Sequence, residues 1–92
     1  MKIDLDKYYI LNSNNFYFSI DLQRRVKMDE EIVVKAVSTF QNRVFFGKLL
    51  EFGPTPFSTI YETRNEIEFD RHDVISEYHP NKLIIQLNDK KT

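Results

Sequence analysis

The feature that most constrains this chain is a strict two-residue rhythm. From Phe16 the even positions are Phe16, Phe18, Ile20, Leu22, Arg24, Val26 and Met28, while the odd ones are Tyr17, Ser19, Asp21, Gln23, Arg25 and Lys27. Successive side chains of a strand point to opposite faces, so apolar residues on every second position predict a strand with one buried face. A helix over residues 22–31 is the competing reading, because Gln, Arg, Lys, Met and Glu are good helix formers. The alternation favours the strand, with the even positions inward and the cations outward.

The same logic extends along the chain. Lys7-Tyr8-Tyr9-Ile10-Leu11 reads as a short strand, and Asn12-Ser13-Asn14-Asn15 as a turn, since Asn tolerates positive φ and bonds its own backbone. Residues 8–28 are therefore expected to form a hairpin, ended by the charged break Asp29-Glu30-Glu31. Ile32–Phe40 is β-branched and apolar on both faces, as a central strand should be. Gln41-Asn42 is expected to close a tight hairpin into residues 43–52, where Val44, Phe46, Leu50 and Phe52 share a face interrupted by Lys48. Gly47 marks a bulge or bend in that strand. Gly53-Pro54-Thr55-Pro56 is a loop, because proline cannot donate a ladder bond. Residues 57–63 resume as a strand, Arg64-Asn65-Glu66 is expected to turn the chain, and Ile67 and Phe69 alternate with carboxylates. Residues 73–78 read as a strand or one helical turn capped by Asp70 or Asp73. Leu83-Ile84-Ile85-Gln86-Leu87 follows the turn His79-Pro80-Asn81 as a terminal strand.

The fold class expected is mainly β: a small curled antiparallel sheet or barrel, SH3-like or PUA-like, with at most one short helix. One domain is expected over residues 1–88, with a solvated tail at 89–92. Ninety-two residues leave room for only a small core, which eight Phe and five Tyr would make dense. Cysteine is absent, which suits a reducing compartment and removes thiol chemistry. No leader and no apolar run of roughly 20 residues is found, so a cytoplasmic protein with no membrane partner is expected. Lys, Asn, Ile, Phe and Tyr have A/T-rich codons, which points to a plasmid, phage or A/T-rich bacterial source.

Candidate chemistry is sparse. None of the five serines lies in a nucleophile-elbow setting, and no enzyme activity and no cofactor are expected. Asp70, His72 and Asp73, with His79 beyond, are metal-ligand types, but their spacing matches no metal framework and surface loop roles suit them better. Glu62, Glu66, Glu68, Asp70, Asp73 and Glu77 form an acidic segment, read as a solvated face that guards a sheet edge or as a patch for a basic partner. The net charge is −1, yet residues 1–50 carry eight basic against six acidic side chains. Within that half, Arg24, Arg25, Lys27, Lys35, Arg43 and Lys48 interleave with Tyr8, Tyr9, Phe16, Tyr17 and Phe45. Cations that track phosphates and rings that stack on bases are how sheets hold single-stranded nucleic acids. Rings filling a small core and cations keeping the outside soluble are the plainer account.

Phe45-Phe46-Gly47-Lys48-Leu49-Leu50-Glu51 resembles the bent second strand of SH3-like and Sm-like barrels, but Phe52-Gly53-Pro54-Thr55-Pro56 then departs from the Sm pattern. The opening Lys7-Tyr8-Tyr9-Ile10-Leu11, with Gly47-Lys48-Leu49-Leu50-Glu51 through Phe57-Ser58-Thr59-Ile60-Tyr61-Glu62, resembles PrgU-like proteins. These are small regulators of Gram-positive conjugative plasmids with a fold akin to RNA-binding PUA domains. That resemblance implies a regulator acting on transcripts through a curved sheet, and it assigns no site residues. The expectation is a small non-catalytic regulatory protein that binds single-stranded RNA through Tyr9, Tyr17, Arg24, Arg25, Lys27, Lys35 and Arg43. The alternative is a protein-interaction module or inhibitor, paired through an edge strand, with its oligomeric state open.

Overall fold

The computed structural model describes residues 2–12, 16–28 and 30–86. The expected turn residues 13–15, Asp29 of the charged break, and the tail at 89–92 lie outside the described residues.

The centre of the fold is an antiparallel meander of three long strands. They are β4 (Ile32–Phe40), β5 (Val44–Phe52) and β6 (Ile60–Asp70). Gln41 and Asn42, at φ 57° and 56°, close the β4–β5 hairpin, and the Arg43 N–H donates to the Phe40 carbonyl at 3.1 Å. Two successive left-handed residues match the twist of the flanking strands, which is why Asn suits this position. Gly47 lies opposite Ala36 on one side and Ile67 on the other. A Cβ there would sit 2.7 Å from the Lys35 carbonyl oxygen, so the close strand approach requires glycine.

The expected chain reversal at Arg64-Asn65-Glu66 does not occur. The strand β6 runs on, but Glu62 pairs with Leu50 and Glu66 with Lys48, leaving three residues opposite Leu49. The Thr63 hydroxyl donates to the Leu49 carbonyl at 2.8 Å and accepts the Asn65 N–H at 3.2 Å, so the bulge supplies its own backbone partners. This bulge switches which alternate residues are buried: Ile60 and Glu62 before it, Ile67 and Phe69 after it.

The remaining strands flank this centre. On one side β1 (Tyr8–Leu11) pairs β4 and then β7 (Val74–Tyr78); on the other β2 (Phe16–Ser19) pairs β6 and then β3 (Arg24–Lys27). The short β8 (Ile84–Gln86) lies parallel to the first part of β6. The order is β3-β2-β6-β5-β4-β1-β7, and its end strands do not pair, so the sheet stays open rather than closing into a barrel. Strands β1 and β2 therefore lie on opposite flanks, and the hairpin expected over residues 8–28 is not formed.

Nor do residues 16–28 make one strand. A turn at residues 20–23 divides them, tied by Leu22 N–H to Ser19 Oγ (3.1 Å), Gln23 N–H to Ser19 O (2.8 Å) and Gln23 Nε2 to Ile20 O (2.6 Å). Gln23 takes φ 55° without being Gly, Asn or Asp, so Asp21 is the one turn-favouring residue among the four. The consequence is an inverted face. Ser19 is buried and Tyr17 packs on the core, whereas Phe16 is 50% and Leu22 56% exposed.

Between the curled walls lie Ile3, Tyr9, Leu11, Met28, Val34, Ala36, Phe45, Ile67 and Phe69, with the Phe45 and Phe69 rings stacked at 5.8 Å. Full burial of each large side chain stabilises the fold by about 1.5–3 kcal/mol. Asp70 caps a single 3-10 turn, Arg71–Asp73, which leads directly into β7, so of the two readings for residues 73–78 the strand is the one formed and the turn lies just before it.

Candidate nucleic-acid interface

The β2–β3 hairpin sorts its side chains by register. Phe16 lies opposite Lys27 and Phe18 opposite Arg25, on the outer face; Tyr17 lies opposite Val26 and Ser19 opposite Arg24, on the core side. The outer row continues from Phe18 to Glu68 on β6 and on to Phe46 on β5. Here Phe16, Phe18 and Val44 line a groove of about 210 Å³, with Arg25 and the carboxylates Glu68, Asp70 and Asp73 also around it. A flat ring, a cation and acceptor oxygens are thus within reach of one small ligand.

Only part of the expected set gathers here. Arg24, Arg25 and Lys27 are exposed on β3, the end strand of the sheet, and none of their side chains makes an ion pair or hydrogen bond among the described residues. Arg24 alternates away from the other two. Tyr17 is half-buried and lines a separate recess of about 200 Å³ with Asp21, Leu22 and Asn65. Tyr9 is 1% exposed; its hydroxyl accepts the Asp4 N–H at 2.7 Å, so the ring belongs to the core and presents no stacking face. Arg43 is exposed beside the hairpin turn, in a shallow recess with Asn42, Arg71 and His72.

Lys35 is committed elsewhere. Its Nζ lies 3.4 Å from Glu62 Oε1, with side-chain exposures of 19% and 5%. Gln86 Nε2 donates to the other Glu62 oxygen at 3.4 Å, and Leu50 and Ile60 are buried on the same outer face. Phe52 meets Tyr78 edge-on at 5.8 Å nearby. Lys48, which interrupts the apolar positions of β5, is half-buried between Lys35 and Glu66 in register.

The acidic stretch alternates as expected, with Glu66, Glu68 and Asp70 opposite in face to Ile67 and Phe69. Asp70 and Asp73 form a reciprocal cap. Asp70 Oδ1 accepts the His72 N–H at 2.9 Å, and Asp73 Oδ2 accepts the Asp70 N–H at 2.9 Å. The His72 backbone N–H, then the His72 ring at 3.0 Å, hold the Asp70 carboxyl below the usual carboxylate range. His79 lies 3.8 Å from Glu77, and among the described residues no group of three His, Asp or Glu is placed to hold a metal ion. No described helix is long and apolar enough to cross a membrane.

Phe18 and Phe46 were not singled out from the sequence; Phe16 was read among the interleaving rings, and Glu68 only as part of the acidic face. The alternation assigned both β2 phenylalanines to the core. The available signal was Asp21, a turn-favouring residue in the middle of the run. No protein-family model matches the chain, and no curated protein or solved structure is significantly similar to it.

Proposed function

We propose that this is a small non-catalytic regulatory protein that binds single-stranded RNA on the outer face of the β2–β3 hairpin. The observation that carries the reading is the placement of unpaired Arg25 and Lys27 directly across from Phe18 and half-exposed Phe16. Cations for phosphates and rings for bases on one sheet face are the two requirements of sequence-tolerant strand binding. The likeness to PrgU-like proteins supplies the regulatory part of the proposal. Arg24, on the opposite face, and Tyr9 and Lys35 have no part in it.

The test is fluorescence anisotropy with labelled single-stranded RNA across a salt series. Two phosphate contacts, at Arg25 and Lys27, give a log–log salt slope of about −1.4, from roughly 0.7 per phosphate on a single strand. Replacing Arg25 and Lys27 by Gln removes most of that slope. Absence of binding at low salt overturns the proposal.

A second reading is favoured by the other end of the sheet. The outer edge of β7 is unpaired among the described residues, and Ile75 on it is 49% exposed. Strand addition at such an edge is a common mode of protein recognition. A doubled mass in size exclusion, or a protein captured from nuclease-treated lysate and lost on Ile75→Lys, would favour it.

A further inference from the structure

We infer that Glu68 reads a nucleobase edge, giving the hairpin surface a preference for guanine over uracil; this rests on the RNA reading above. Three carboxylates line the groove beside Phe16 and Phe18, but two of them are occupied. Asp70 and Asp73 hold the backbone of the 3-10 turn. Glu68 alone of the three has no hydrogen bond or ion pair among the described residues, although it is half-buried.

Its position is set by register. Glu68 lies between Phe18 on β2 and Phe46 on β5, with Arg25 one strand further out beside Phe18. A groove of about 210 Å³ is below the roughly 300–1,000 Å³ typical of small-molecule sites, so it suits a single ring system. Arg25 and Glu68 flank Phe18 on its two neighbouring strands, so a base stacked on Phe18 with its phosphate at Arg25 would turn its Watson–Crick edge to Glu68.

An ionised carboxylate only accepts hydrogen bonds. It therefore selects bases by the donors on that edge. Guanine offers the adjacent N1–H and N2 amine, one for each carboxylate oxygen. Cytosine offers its amine alone. Uracil offers N3–H flanked by two carbonyl oxygens that the carboxylate repels. A two-donor contact to a charged acceptor is the strongest of these.

The experiment uses labelled ten-nucleotide uridine strands carrying one central guanosine, one central inosine or neither, at low salt. The guanosine strand binds wild type about tenfold tighter than plain uridine, the scale of a good bidentate base contact. Inosine lacks the N2 amine and gives an intermediate value. Glu68→Gln loses most of the preference while binding plain uridine at least as well, because a negative charge has left the phosphate path. Equal binding of all three strands by wild type, or a preference kept in Glu68→Gln, overturns the inference and leaves RNA binding standing. No binding of any strand overturns the RNA reading itself. The inosine comparison uses unmodified protein, so it decides the matter even where the variant fails to fold.

Discussion

Removing the Lys35 ammonium should destabilise the protein without weakening RNA binding. In Lys35→Met the Glu62 carboxylate, 5% exposed, would keep among the described residues only the Gln86 amide at 3.4 Å as a partner. Breaking a buried pair from one side costs about 3–5 kcal/mol, because a desolvated charge is left uncompensated. Lys35 stands at the rim, with 19% of its side chain exposed, which places the expectation near the lower figure. A chain of 92 residues has about 5–14 kcal/mol of total stability, so a loss of about 3 is a large share. For a domain of this size each kcal/mol moves the midpoint by about 4–8 °C, giving a fall of roughly 12–24 °C. Circular-dichroism melts at neutral pH read this directly. The double variant Lys35→Met/Glu62→Leu should recover most of the loss, since apolar replacement of a whole buried pair is often neutral or better. A single variant melting within ~2 °C of wild type, or a double variant no better than the single, would refute the reasoning. Below its midpoint, Lys35→Met should bind RNA as wild type does; a tenfold loss would return Lys35 to the phosphate-binding set.

Other outcomes follow from the local geometry. Gly47→Ala should lower the urea midpoint by an amount equivalent to about 1–3 kcal/mol, because its Cβ would meet the Lys35 backbone carbonyl at 2.7 Å and two paired strands would have to part. Gln41→Gly should raise stability by roughly 0.5–1 kcal/mol in the same assay, since Gln41 sits at φ 57° in a turn that favours Gly and Asn. NMR titration should place the Asp70 carboxyl midpoint below the ordinary ~3.9 of an aspartate. Because that folded-state value is depressed, the contribution of Asp70 is complete above the unfolded value and is lost as pH falls through the folded one; Asp70→Asn should flatten that acid limb slightly, the group being largely exposed.

Much of the backbone plan was legible because its causes are local. The β-branched run of β4 and the Gln41-Asn42 turn each depend on residues within one turn or one strand, and each is where the sequence placed it; the proline loop runs on to Thr59, so residues 57–59, expected as strand, are not. Gly47 signalled a backbone constraint, although the neighbour that imposes it, the Lys35 carbonyl, belongs to another strand.

What the chain alone determined is its sheet-forming character: alternating apolar residues and β-branched runs commit the backbone to strands wherever they pair. Pairing itself was decided in three dimensions. Strand β1 joins β4 and β7 rather than its neighbour in sequence, and a turn without Gly, Asn or Pro splits residues 16–28. A one-residue change of phase exchanges the two faces of a strand, so these tertiary choices decided which side chains are available at all. They put Tyr9 inside, tied Lys35 to Glu62 and turned Phe16 outward beside Lys27. Alternation states that two faces differ; only packing against the other strands states which one meets water.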